Sequence, residues 1–220
     1  MENDKLVLIY GPCCSGKTTL LKQMVAEGSF FPVKTTTSRM IRPAEIESPP
    51  YNFVTKDEFQ ALIDDPTEPL IEWNCYADNF YGCTKQSILD AIELGKAVGK
   101  VPAMILEYNG IDAVDSWVSS RNWDTEGFDL QLIIINTFVS PEVWTQRMVA
   151  RTTAALEFAP KEKYPEIIED ILWRAARIDS EYDWYYRLKD CTTIQLNCDG
   201  NTNSVNLELI LEFVNDNVSN

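Results

Sequence analysis

The chain contains no histidine, and that absence removes every mechanism built on an imidazole base and every histidine-liganded metal site. Basic residues are scarce as well: Lys+Arg 19 against Asp+Glu 34 gives a formal net charge of -15 and a pI near 4.4. Such an acidic balance argues against a broad nucleic-acid surface, which needs clustered cations to release counterions, so no nucleic-acid partner is expected. No apolar run approaches the roughly 20 residues that span a bilayer. The N-terminal Met1-Glu2-Asn3-Asp4-Lys5 lacks the basic-then-apolar layout of a secretory leader. No membrane partner and a cytoplasmic location are therefore expected. Cys13 and Cys14 are adjacent, while Cys75, Cys83, Cys191 and Cys198 are scattered without a C-x-x-C pair. They read as reduced thiols with no place for zinc. Any anionic ligand must be held by a local cluster of cations and amides, against the field of the whole chain.

What is present is an ordinary globular composition, 45% hydrophobic and 24% charged over 220 residues, enough for one domain with a continuous core. Leu6-Val7-Leu8-Ile9-Tyr10 is a nearly unbroken apolar run, the habit of a strand covered on both faces. Beyond Gly16, the residues Leu20, Leu21, Met24 and Val25 recur at helical spacing. Further strands are expected within Val98 to Tyr108, around Leu132-Ile133-Ile134-Ile135, and at Thr192 to Leu196. Ser140-Pro141-Glu142 opens a helix expected to run through Arg151, with others from Pro165 to Glu181 and Asn206 to Val214. Strands alternating with helices predict an α/β fold with a mostly parallel sheet. Thr35 to Thr84 is polar and aromatic, with five prolines, and reads as irregular or antiparallel structure inserted into that core; Thr152 to Pro165 reads as a second insertion.

Between the first strand and the first helix stands Gly11-Pro12-Cys13-Cys14-Ser15-Gly16-Lys17-Thr18, which fits G-x-x-x-x-G-K-[ST] in the context that gives the pattern meaning. Glycines let backbone amides point inward as an anion nest, and the helix adds its positive end. Residues 11–18, with Thr19, are the candidate ATP-binding segment. Lys17 is spaced to reach the β- and γ-phosphates, and the Thr18 hydroxyl to meet Mg²⁺. Cys13 and Cys14 read as small side chains tolerated where the backbone does the binding, with redox sensitivity of thiols at a helix N-terminus as the alternative.

A second anion site follows. Arg39 and Arg42 lie three apart in the hydroxyl-rich stretch Thr35-Thr36-Thr37-Ser38 onward, and paired guanidinium forks suit a phosphate monoester. After them come Tyr51-Asn52-Phe53-Val54, Glu58-Phe59, Ile71-Glu72-Trp73 and Phe80-Tyr81-Gly82-Cys83-Thr84. Over this series the chain resembles guanylate kinase, a nucleoside monophosphate kinase of the P-loop class. The likeness is continuous from about Leu6 to Ile88 and weaker from Gly95 onward.

The resemblance implies a single three-layer α/β/α domain over 1–220. Its core would be 1–34 and 95–220, with a small GMP-binding lobe at 35–90 and a helical lid at 152–166. It implies ATP and Mg²⁺ as donor and metal, small-molecule nucleotides as partners, and a monomer or homodimer. It assigns the acceptor nucleotide to Thr35, Arg39, Arg42, Tyr51, Glu72, Tyr81 and Cys83, with Glu72 reading guanine. Glu107, in Ile105-Leu106-Glu107-Tyr108-Asn109-Gly110, takes the acid position beside the metal. Lys17 and Arg39 join the lid arginines as catalytic; among the latter Arg151 and Arg174 come before Arg147 and Arg177. Phe53 and Phe59 read as core. Two departures stand out: Cys83 replaces a serine, and Ile105 replaces a carboxylate. They leave open GMP, dGMP or a modified purine as acceptor, and also a different small phosphorylated acceptor or a non-catalytic binding module.

Overall fold

Along β1 (Asp4–Tyr10) every residue after the first is buried. Leu6, Leu8 and Tyr10 join one apolar cluster, and Val7 and Ile9 join another on the opposite face. A strand with two apolar faces has to be covered twice, and the rest of the architecture follows from that. The computed structural model describes residues 4–216, apart from 42–44, 48, 50, 68–69, 77, 121–129, 188–193 and 201–202. Arg42 and Cys191 thus lie outside the described residues, as do the side chains of Tyr182, Asp183 and Trp184.

β1 is central in a parallel five-stranded sheet. Its neighbours are β7 (Val101–Ile105) and β8 (Leu130–Phe138), flanked in turn by β2 (Phe30–Pro32) and β9 (Ile194–Asn197). One face is covered by α3 (Lys85–Val98) and α4 (Tyr108–Ser119), through Ile88, Ile92, Ile111, Val114 and Trp117. The other carries α1 (Lys17–Glu27), α5 (Pro141–Phe158) and α7 (Asn203–Asp216), through Leu20, Met24, Trp144, Met148, Ile210 and Val214. This is the parallel sheet expected from the alternating strands and helices, in the three-layer arrangement that the resemblance implied.

The inserted segment builds its own sheet, in the order β4 (Tyr51–Phe53), β3 (Thr35–Thr37), β6 (Asn79–Thr84), β5 (Leu70–Tyr76). It is not wholly antiparallel, because β3 and β4 run parallel across residues 38–50. It also holds a helix, α2 (Lys56–Asp64), opened by a capping box in which Thr55 and Glu58 satisfy each other's backbone amides. Phe59 from that helix is fully buried and stacks on Phe80 at 5.3 Å between ring centroids.

Several bounds differ from the sequence reading. α5 does not stop at Arg151 but continues to Phe158. Ala154, Ala155, Leu156 and Glu157 are good helix formers, and the first breaker is Pro160. Arg147 and Arg151 are therefore mid-helix residues rather than C-terminal ones, and most of the segment expected as an insertion is helix. α6 (Tyr164–Arg187) is likewise longer than expected and runs back against α5 after a short turn.

Candidate active site

The loop after β1 is pinned from below. Ser15 Oγ and Thr137 Oγ1 lie 2.7 Å apart, and Thr137 Oγ1 also donates to the Tyr10 carbonyl at 3.2 Å. Gly11 has φ +147°, and a Cβ there would fall 2.1 Å from the Thr137 carbonyl oxygen, so no other residue fits. Gly16, at φ +104°, turns the chain into α1 with no side-chain cap and no acid in the first turn. That leaves the helix's leading amides free of side-chain partners, the arrangement that favours an anion. The Lys17 ammonium folds back over the loop, donating to the carbonyls of Gly11 at 2.5 Å and Pro12 at 3.0 Å. Thr18 is exposed on the first turn. Glu107 stands exposed just past β7; since Ile9 pairs with Ile105, its backbone is level with Gly11. A hydroxyl and a carboxylate at the mouth of a phosphate loop are hard oxygen donors, the set magnesium prefers when substrate and water complete its shell. Among the described residues no group of three His, Cys, Asp or Glu could hold a metal by itself.

The residues expected to hold a second anion are carried by the inserted sheet and its loops. Arg39 is largely enclosed, gripped by Glu45 through two hydrogen bonds of 3.0 and 3.1 Å. Its guanidinium lies 5.4 Å from the Tyr51 ring and 5.3 Å from that of Phe53, while Tyr51 meets Tyr81 edge-on at 6.2 Å. Burial pulls the Arg39 pKa down, but Glu45, Tyr81 and Tyr51 outweigh it and hold the charge more firmly than usual. Arg39, Tyr51 and Tyr81 are thus brought together, with Thr35 on the neighbouring strand in register with Tyr51. Phe53, expected as core, instead forms the platform beneath Arg39. Glu45 was given no role from sequence. An acid six residues beyond Arg39, on the same loop, is the available signal.

Glu72 sits on β5 opposite Cys83, beside a register irregularity between Leu70 and Glu72. Its Oε2 is buried and has no hydrogen-bond partner among the described residues. Burial first, and then the nearby Glu107 charge, raise its carboxyl pKa to about 7. Gly110 of α4 makes room for it: a Cβ there would lie 3.0 Å from Glu72 Cδ and 3.1 Å from Cγ. We expect Gly110→Ala to leave the fold intact but displace that carboxylate, raising the acceptor KM about tenfold in steady-state assays. Burial and Glu72 push the Cys83 thiol up to about 12, and its Sγ donates to the Thr84 carbonyl at 3.4 Å. Cys83 is therefore a neutral thiol facing Glu72 across the strand pair. Ile105 packs on the opposite side, with the α1-facing cluster.

The four arginines considered for the lid divide by position. Arg147 ties the phosphate loop to the segment after β9, donating to the carbonyls of Cys14 at 3.2 Å and Cys198 at 2.5 Å. It is a brace. Arg177 lies 4.4 Å from the Trp173 ring, on the exposed side of α6. Arg151 and Arg174 line one groove between α5 and α6, and both act electrostatically on Cys14. Arg174 is steadied by Asp170 at 2.8 and 3.0 Å.

With this geometry in place, residues 3–115 match the guanylate kinase family. The guanylate kinase of Gloeobacter violaceus is 31% identical over 174 residues, covering 78% of this chain and 72% of that protein. That of Trichodesmium erythraeum is 39% identical over 100 residues, 44% of this chain and 52% of that protein. The chain spans about half the length of most of the curated relatives it matches. Among solved structures, guanylate kinase from Anaplasma phagocytophilum superposes with a TM-score of 0.56 at 13% identity, covering 100% of this chain and 88% of that one.

Proposed function

The chain belongs to the guanylate kinase family, and on that premise we propose that it transfers the γ-phosphoryl group of ATP to GMP or dGMP, yielding the diphosphate. One observation carries the choice of acceptor: the enclosed, unpartnered carboxylate oxygen of Glu72. Guanine offers N1–H and N2–H₂ side by side, and one ionised carboxylate accepts from both. Adenine has no such donor pair on that edge, so binding it would leave the carboxylate buried and unpaired, at about 1–3 kcal/mol.

The donor triphosphate would lie on the amides of residues 11–18, with Lys17 released from the Gly11 and Pro12 carbonyls to hold phosphate oxygens instead. Thr18 and Glu107 would hold magnesium, which when bound neutralises charge on the β- and γ-phosphates. Arg39, braced by Glu45 and assisted by Arg42, Tyr51, Tyr81 and Thr35, would fix the acceptor phosphate with an oxygen in line. Arg151 and Arg174, on the helical hairpin, would approach the transferred group and stabilise its charge while excluding water. None of these steps needs a histidine, because phosphoryl transfer rests on positioning and charge.

An acceptor panel with ATP and Mg²⁺ tests the reading. GMP and dGMP should be phosphorylated fastest. IMP, which lacks the N2 amine, should be slower, and AMP, CMP and UMP slower still. A faster rate with AMP or a pyrimidine nucleotide would overturn it.

A further inference from the structure

Arg39 is fixed at both ends of its side chain. At the base, its backbone amide donates to Thr37 Oγ1 at 3.1 Å, and Thr37, a buried residue, donates in turn to the Phe80 carbonyl at 2.9 Å. At the tip, Nη1 donates to the Met40 carbonyl at 2.9 Å and to one Glu45 oxygen at 3.0 Å, while Nη2 donates to the other oxygen at 3.1 Å. The two side chains are only 12% and 18% exposed, so this is not a surface pair whose geometry solvent dissolves. A guanidinium carries five N–H donors in one rigid plane. Met40 and Glu45 take three of them, both on Nη1 and one on Nη2. The remaining two, Nε–H and the second Nη2–H, lie side by side along one edge and have no partner among the described residues. Such an edge is a fork that grips two oxygens of a phosphate.

We propose that Glu45 is a positioning residue for the acceptor phosphate: it occupies the end of the Arg39 guanidinium and so presents the Nε/Nη2 edge, and that edge alone, to the phosphate. This rests on the reading of the inserted lobe as the monophosphate site. Tyr51 and Phe53, whose rings lie within cation–π reach of the guanidinium, restrain its plane further. The arrangement has an electrostatic cost, because Arg39 and Glu45 together carry no net charge and a carboxylate near a phosphate repels it. Orientation outweighs that cost. The Glu45 charge is already met by two hydrogen bonds, whereas a fork held in register makes two charge-assisted bonds to the phosphate without first losing rotamer freedom. A lysine at position 39 could not do the same, since a single ammonium has no second edge to offer once a carboxylate holds it.

Titrations of the full chain with GMP and with guanosine, followed by NMR, decide the matter. Guanosine keeps the base and sugar but has nothing for Arg39 to hold. Glu45→Gln preserves the shape of the side chain yet can accept only one of the two guanidinium hydrogens. It should weaken GMP binding about tenfold and leave guanosine binding unchanged, with a matching rise in KM for GMP and none for ATP. In an Arg39→Ala background the same substitution should have no further effect on GMP. Equal weakening of GMP and guanosine would make Glu45 a support of the fold only, and would overturn the proposal. Unchanged or tighter GMP binding would overturn it too, as would an undiminished effect in the absence of Arg39. Should another monophosphate bind the wild type more tightly than GMP, the choice of guanine fails instead. The same comparison, made with that nucleotide and its own nucleoside, then decides the role of Glu45.

Discussion

Lys17→Ala should reduce kcat for phosphoryl transfer to GMP by about 10³-fold or more, with little change in the urea midpoint. The ammonium is the one side-chain cation within residues 11–18, and it donates to two loop carbonyls, those of Gly11 and Pro12. Removing it returns those part-buried carbonyls to water, a change within about 1 kcal/mol of stability. In the transition state, however, charge on the β- and γ-oxygens loses its nearest fixed partner, and losing such a group typically costs about 10²–10³ in rate or more. Steady-state kinetics alongside urea denaturation separate the two effects. Near-native kcat in a folded Lys17→Ala variant would contradict the assignment.

Glu72→Gln should act in opposite directions on activity and stability. A glutamine presents one acceptor and one donor where guanine offers only donors, so kcat/KM for GMP should fall about 10²-fold. Stability should rise. The native carboxyl titrates near 7, above its unfolded value near 4.5. The native state therefore binds the extra proton, and the wild type loses stability as pH rises from about 4.5 to 7, staying at that lower level above. The variant lacks this penalty. At pH 8 it should be more stable to urea than the wild type by about 3 kcal/mol, and at pH 4 the difference should vanish. A carboxylate retained at a cost to the fold is one kept for its ligand.

The layered core was legible because its signals are local. The run Leu6 to Tyr10, the glycine-lysine loop after it and Ser140-Pro141 each mark an element in a few residues, and the structure places elements there. Of the features missed, two are local but masked by weaker or conflicting cues, and the others depend on residues distant in sequence. The α2 capping box of Thr55 and Glu58 was present as Thr-x-x-Glu but lay in a stretch read as irregular because of its prolines. The length of α5 turned on the absence of any breaker before Pro160, a weaker cue than a cap. Glu45 as the partner of Arg39, Gly110 as the space for Glu72, and Arg147 as a brace between two loops became visible only once the chain was folded. The same holds for Phe53, whose aromatic character fits a core and a guanidinium platform equally well.

Calorimetric titration with GMP in buffers of different ionisation enthalpy tests the role of Glu72 most directly. If the buried carboxylate must be ionised to receive N1–H and N2–H₂, GMP binding at pH 7 releases about half a proton more from the wild type than from Glu72→Gln. The comparison cancels protons lost from the nucleotide phosphate. Equal proton release by the two proteins, each binding GMP, would mean that the carboxylate does not meet the base.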